Sequence, residues 1–267
     1  MKIIFVKLEN YMLFLIKFIA LICARYKHYF NIMEKQLYVI ITAGGVGKRM
    51  GGNIAKQFLE LDGKPILLRT IEMFRKVWDK AEIILVLPSE YKEYWKQYCL
   101  ENNLWFKHTL VSGGITRFHS VRNALEFVPD GAIVAVHDGV RPFVPENMLQ
   151  ELLSCDISDN QVAGVIPVMP SIESMRRKKL DSEGHFIGSE TVNRDEYVSV
   201  QTPQVFDSTK LKDAYKQAYS PAFTDDASVA ESKGYKVLFC NGSRFNIKIT
   251  TPEDLTLGEL FLRVNSF

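Results

Sequence analysis

The chain has 267 residues, enough for one large α/β domain or two small ones. Its hydrophobic fraction of 47% and charged fraction of 24% are those of an ordinary globular protein with room for a sizeable core. The net charge of +2 is uneven: residues 1–32 hold five cations and one anion, net +4, which leaves −2 on the rest and excludes the broad basic face of a general nucleic-acid binder. Cys23, Cys99, Cys155 and Cys240 lie far apart, without a Cys-x-x-Cys pair or a Cys/His cluster at metal-ligand spacing. That usage points to reduced thiols in a cytoplasmic protein rather than to a disulfide frame or a zinc site.

Residues 11–23 are mostly apolar but are interrupted by Lys17. The run falls short of the ~20 residues that a membrane-spanning helix needs. Lys2 and Lys7 resemble the basic front of a signal peptide. Arg25, Lys27 and His28, however, stand where a small-x-small cleavage site belongs. The reading preferred here makes residues 1–32 an extension outside the functional domain. Met33 is then the working start of one domain, 33–267, and a chain beginning there is expected to be soluble and fully active.

Leu37-Tyr-Val-Ile-Ile is the apolar, β-branched run of a buried strand. Residues 42–56 follow it, with Gly44, Gly45 and Gly47 in four positions and the cations Lys48, Arg49 and Lys56. Glycines directly after a strand let backbone N–H groups face a phosphate, and the cations add full charge to that concavity. The spacing is not Gly-x-Gly-x-x-Gly, because Gly51 falls one residue late, and Gly47-Lys48 is followed by Arg49 rather than the Ser or Thr of a P-loop. A plain strand-to-helix turn with solvated cations is the alternative.

Ile66, Leu67, Thr70, Ile71, Phe74 and Val77 predict a helix over 65–77. A buried strand over 82–87 stops at Pro88, and a helix over 89–100 follows with Ser89 as its N-cap. Leu110-Val111 forms a short strand running into Gly113-Gly114, and residues 116–127 form a helix. A strand over 132–136 ends at His137-Asp138. A helix over 145–153 and a strand over 163–168 complete the alternation. The pattern predicts an α/β fold with a mostly parallel sheet and helices on both faces. Three strand ends, at 42–56, 113–120 and 137–141, can then converge on one crevice.

The alternation breaks at 169–200. Two extended segments flank the turn at Asp181-Ser-Glu-Gly, which makes a hairpin with too few strands to stand alone. A second copy of the chain is the simplest support for such an arm; folding back on its own domain is the alternative. Further on, helices are expected over 208–219, capped by Ser208, and from Thr224-Asp-Asp-Ala-Ser to Lys233, ended by Gly234. A strand over 235–240 and a last helix from Thr250-Thr-Pro-Glu-Asp to Arg263 close the chain.

Eight ordered blocks carry a resemblance. They are Ala43-Gly-Gly-Val-Gly-Lys-Arg-Met, Ala55-Lys-Gln-Phe, Gly113-Gly-Ile-Thr-Arg-Phe-His-Ser-Val, Val136-His-Asp-Gly-Val-Arg-Pro, Thr191-Val-Asn-Arg, Gln201-Thr-Pro-Gln-Val-Phe, Thr224-Asp-Asp-Ala-Ser and Asn246-Ile-Lys-Ile-Thr-x-Pro-Glu-Asp-Leu. Over about residues 36–265 the chain resembles the 2-C-methyl-D-erythritol 4-phosphate cytidylyltransferases, nucleotidyltransferases with a Rossmann-like sheet. The resemblance implies transfer of the cytidylyl group of CTP to a polyol phosphate, with Mg²⁺ and without a nucleophilic side chain.

It also implies roles. Arg49, Lys56 and Lys248 match the cations at the α-phosphate. Ala43, Gly44, Gly45, Gly47, Lys48, Gly114 and Ser120 match nucleotide contacts. Asp138, Arg141, Ser174, Arg194 and Thr202 match acceptor contacts, and Asp138 is the one candidate for the metal. Arg117 matches a family arginine or makes a structural ion pair. Ser174 stands in a block, 167–176, that departs from the family pattern, and Ser171 is its alternative. Arg194's counterpart comes from a partner's arm, which implies a homodimer with shared sites. Ribitol 5-phosphate is the rival acceptor. A nucleotide-binding oxidoreductase is disfavoured by the glycine spacing, and a membrane-attached module rests on residues 1–32 alone.

Overall fold

The computed structural model describes residues 35–44 and 55–264. The reading of residues 1–32 lies outside them. The sheet has strands in the order β10 (Val198–Val200), β7 (Val162–Pro170), β11 (Gln204–Asp207), β6 (Ile133–Asp138), β1 (Leu37–Thr42), β4 (Glu82–Leu87) and β5 (His108–Ser112). A further strand, β12 (Lys236–Asn241), runs parallel along the other edge of β7. The pairs β1–β4, β1–β6 and β4–β5 are parallel, as the alternation predicts. An antiparallel strand, β11, sits between β6 and β7, and antiparallel β10 shares its edge of β7.

Alternation along β1 builds two cores. Val39 and Ile41 face one layer with α1 (Ile66–Val77), α2 (Ser89–Glu101) and α4 (Glu146–Ser154), where Phe74, Trp95 and Leu149 are sealed. Ile40 faces the other layer with α3 (Arg117–Leu125), α5 (Ser208–Ala214) and α6 (Asp226–Ser232), through Phe118, Leu211 and Val229. A third, smaller cluster seats α7 (Pro252–Val264) on Phe143, Ile249 and Leu61, the last from the short pair β2 (Glu60–Leu61) and β3 (Lys64–Pro65). Burial of a large apolar side chain contributes roughly 1.5–3 kcal/mol, so the sheet holds helices on both faces.

Two expected helix starts are corrected. Pro88 stands at the cap of α2 without a side-chain bond, and Ser89 is the first helical residue. Asp207, not Ser208, caps α5, accepting from the N–H groups of Thr209 and Lys210 at 3.0 and 3.2 Å. A carboxylate is also the better partner for the helix dipole. That helix stops at Ala214 rather than at residue 219. In α6 the expected Asp-Asp-Ala-Ser cap is present as a reciprocal box between Asp225 and Ser228.

The arm is the hairpin β8 (Arg176–Leu180) and β9 (Phe186–Thr191), paired antiparallel to each other. Every residue of β8 is exposed.

Candidate active site

Strands β1, β4, β5 and β6 end on the same edge of the sheet. Chain order runs β1, β4, β5 to one side, then returns to β6 on the other side of β1. The two connections leave on opposite faces and open a crevice at the strand ends between β1 and β6. There Thr42 lies in register with Asp138. The crevice holds about 270 Å³.

One wall is Ala43, Gly44, Lys56 and Gln57. Gln57 is buried, and its Nε2 donates to the Ala43 carbonyl at 2.8 Å. Phe58, beside it, packs against Tyr91 and Tyr94 of α2, so the short 3-10 turn Lys56–Phe58 is pinned to the core. Lys56 is thereby fixed at the rim.

The opposite wall is the start of α3, with Gly114, Thr116, Arg117 and Ser120. A Cβ at Gly114 would collide with His119, so the bend needs glycine. The Gly114 N–H donates to Ser120 Oγ at 3.0 Å, and the Ser120 hydroxyl donates to the Thr116 carbonyl at 3.0 Å. The hydroxyl's proton is therefore committed to the loop, and one lone pair remains to accept from a ligand. Thr116 caps α3 by accepting from the His119 N–H.

Asp138 forms the floor. Its Oδ2 meets Lys248 Nζ at 2.9 Å and Arg141 Nε at 3.2 Å, while Oδ1 faces Arg117 Nε at 3.8 Å. Burial alone would raise this carboxyl, but the charges of Arg117, Lys248 and Arg141 outweigh it and hold Asp138 well below the usual carboxylate range. It is ionised at neutral pH. Its N–H donates to Thr202 Oγ1 at 3.2 Å.

Lys248 comes from a strap that the chain ties to this floor. Arg141 Nη1 donates to the Asn246 carbonyl at 2.9 Å, Asn246 Nδ2 to the Thr202 carbonyl at 2.8 Å, and the Ile249 N–H to the Val140 carbonyl at 2.9 Å. The strap leaves the Lys248 side chain 42% exposed, against 13% for Arg141. Lys248 is thus the cation of the pair that a ligand can reach. His137 is sealed, with its ring edge-on to Phe74, and bonds the Arg141 carbonyl through Nε2 at 3.0 Å. A carbonyl can only accept, so Nε2 carries the proton. Burial lowers His137 to about 4, and it is neutral at pH 7.

Of the residues singled out in the sequence, Ala43, Gly44, Lys56, Gly114, Ser120, Asp138 and Lys248 line this one crevice. Arg141 and Thr202 stand behind Asp138 and hold it. Ser174 and Arg194 are exposed on the arm and do not line the crevice of their own chain, and Arg194 donates to the Ile172 carbonyl. Gly45, Gly47, Lys48 and Arg49 lie outside the described residues. Arg117 makes the ion pair foreseen as one of its two readings, 2.6 Å from Asp226. Gln57 and Thr116 were missed. Gln57 sits beside Lys56 ahead of the apolar anchor Phe58, and Thr116 precedes a helical run, so each had a local signal.

The sequence model described as IspD: 2-C-methyl-D-erythritol 4-phosphate cytidylyltransferase matches residues 37–264. A protein of that name from Bacteroides thetaiotaomicron is 50% identical over 224 residues, covering 84% of this chain and 98% of its own length. Another from Phocaeicola vulgatus is 47% identical, covering 84% and 99%. Among solved structures, a 4-diphosphocytidyl-2C-methyl-D-erythritol synthase from Anaerococcus prevotii superposes with a TM-score of 0.69 at 28% identity, over 87% of this chain and 98% of that one. The Francisella tularensis 2-C-methyl-D-erythritol 4-phosphate cytidylyltransferase gives 0.67 at 30% identity, over 84% and 99%.

Proposed function

The chain belongs to the 2-C-methyl-D-erythritol 4-phosphate cytidylyltransferase family, and from that premise we propose how its crevice carries out the family's reaction. It is a nucleotidyltransferase that moves the cytidylyl group of CTP onto 2-C-methyl-D-erythritol 4-phosphate, in the non-mevalonate route to isoprenoid precursors. The products are 4-CDP-2-C-methyl-D-erythritol and pyrophosphate. An acceptor phosphate oxygen bonds to the α-phosphorus of CTP, the α–β bridging P–O bond breaks, and its electron pair leaves on pyrophosphate.

Both reactants are anions, and negative charge gathers at the α-phosphate, so fixed cations are the main requirement. Lys56 and Lys248 both line the crevice and supply that charge, a role in which Arg49 is proposed to join them. Gly44 and Gly114 leave space for a base, and the free lone pair of Ser120 accepts from an amino group such as that of cytosine. Asp138 aims Lys248 and receives the acceptor. The observation that carries this reading is the convergence of Lys56, Gly114, Ser120, Asp138 and Lys248 on one crevice at the switch point of the sheet.

Among the described residues no group of three or more His, Cys, Asp or Glu is gathered as for a metal cage. One carboxylate, Asp138, lines the crevice. That donor set fits Mg²⁺, which is commonly held by one or two carboxylates with substrate phosphates. Asp138 and the triphosphate would hold it, and it would neutralise phosphate charge when bound.

The arm is the proposed contact with a second copy. Leu180, Phe186 and Ile187 on it are 54–65% exposed, an apolar surface that a two-stranded hairpin has no reason to leave in water. Arg194 and Ser174 would then reach the acceptor site of the partner in a homodimer. No helix among the described residues is long and apolar enough to cross a membrane. Cys99 and Cys240 are unbridged thiols, which supports a cytoplasmic setting.

The test is pyrophosphate release by the purified protein with CTP and Mg²⁺, with 2-C-methyl-D-erythritol 4-phosphate and ribitol 5-phosphate as alternative acceptors. Release with the first and not the second is expected. Release with the second alone reassigns the acceptor, and release with neither removes the reading.

A further inference from the structure

Asp226 is fully buried at the start of α6, 109 residues from its partner Arg117, and the mechanism above does not use it. Its Oδ2 binds Arg117 Nη2 at 2.6 Å, and its Oδ1 accepts from the Tyr215 hydroxyl at 2.6 Å. The Tyr215 ring stacks on Phe118 at 4.7 Å, next to Arg117 in the chain. A buried carboxylate persists only when it is paired and bonded in this way. The guanidinium is thus clamped at its Nη2 end.

Its other edge faces Asp138. Arg117 Nε stops 3.8 Å from Asp138 Oδ1, beyond hydrogen-bond reach, whereas Oδ2 is filled by Lys248 and Arg141. Oδ1 is the oxygen left for a ligand. A guanidinium drawn to a bare carboxylate closes to a charge-assisted hydrogen bond unless something holds it back. Asp226 is the group in place to do that.

We propose that Asp226 and Tyr215 are positioning residues that restrain Arg117, so that it tempers the charge of Asp138 without capping the oxygen that the reaction needs. The inference rests on the reading above, in which Asp138 faces the reacting phosphates. It links α5, α6 and the nucleotide-side start of α3 to the acceptor-side floor.

The test is steady-state kinetics with CTP and 2-C-methyl-D-erythritol 4-phosphate, well below the melting temperature of each variant. Asp226→Asn is expected to lower kcat roughly 10- to 100-fold with the KM for CTP within about threefold, because the loop holding the nucleotide is fixed by Thr116 and Ser120 instead. Adding Arg117→Gln to it is expected to restore part of that loss, at least ~threefold in kcat, since the capping group is gone. Tyr215→Phe removes one hydroxyl from the clamp, keeps the ring stack, and should lower kcat about 3- to 10-fold. It carries the test if Asp226→Asn does not fold. Unchanged kcat in the folded variants, or a double variant no faster than Asp226→Asn, overturns the restraint. A crystal structure of a folded single variant reads it without turnover: Arg117 Nε should close to ~3 Å from Asp138 Oδ1. Wild-type protein silent with both substrates would instead fault the assigned reaction, and the 3.8 Å gap, kept or closed in the variant, would still decide the clamp.

Discussion

Two parts of this molecule gather cations around a single carboxylate and put them to opposite use. At the crevice floor Arg117, Arg141 and Lys248 surround Asp138, whose side chain is 11% exposed. On the arm Arg177 and Lys179 meet Glu190 at 3.0 and 3.2 Å, with side chains 62%, 56% and 39% exposed. The separations are alike; the solvent is not. Water screens the arm pairs, so they add little. At the floor the same charges hold an acid ionised and fix the direction of a lysine. Access to water, rather than distance, therefore separates a site from a solvated surface.

The sharpest way to break that contrast is to remove a floor or rim cation. Lys56→Ala or Lys248→Ala should lower turnover by at least ~10²–10³ while the protein stays folded, because a fixed donor to developing charge is lost, and Arg49→Ala is expected to fall as far. Near-normal turnover together with an unchanged melting curve would place the chemistry elsewhere.

The arm is next. Arg194→Ala should leave folding untouched, as Arg194 is exposed, yet weaken acceptor use about tenfold if its partner lies in a second copy. Mixing it with Lys56→Ala should then regenerate roughly a quarter of wild-type activity, since a heterodimer keeps one intact site. No recovery on mixing would confine the arm to its own chain.

Acid should act on the floor. His137 is lowered from 6.5 to about 4 by burial, so between those values the folded state binds fewer protons than the unfolded chain. Its contribution is complete above pH 6.5 and is lost as pH falls towards 4, about 3 kcal/mol in all. Asp138, also lowered, adds a loss of the same sign below its ordinary value of 3.8. Denaturant melts at pH 7 and pH 4 should show the drop, and His137→Gln should flatten it between 6.5 and 4. An equal slope in that variant would clear His137.

The smallest effect tests the arm pairs directly. Glu190→Gln should move the melting temperature by no more than about a degree, as exposed pairs add little. A large shift would show that the arm is not solvated as its exposure implies.

The meeting of residues 42–44, the start of α3 and the end of β6 in one crevice was legible, because glycines and short polar runs after apolar strands mark where a parallel sheet meets its ligand. The Asp225–Ser228 cap was legible too, since a capping box spans only four residues. The true caps of α2 and α5 were not: Pro88 and Asp207 each precede a serine, itself a common capping residue, and the backbone path decides between neighbours. Nor was β11, whose four residues carry no mark of direction, yet which runs antiparallel between β6 and β7. Ser120 was read as a ligand contact, and its proton is spent inside the loop.

Alone, the sequence determined the type and order of most elements, the family, and two of the cations, Lys56 and Lys248, that line the crevice. Those follow from periodicity, glycine placement and short motifs, which act over a few residues. Tertiary structure alone decided that Thr42 lies beside Asp138, that Lys248 and Arg141 share one oxygen of that acid, and that Asp226 clamps Arg117 from 109 positions away. Such pairings arise from strand order and from the burial of charge, and a carboxylate withdrawn from water must find its cations wherever the fold brings them.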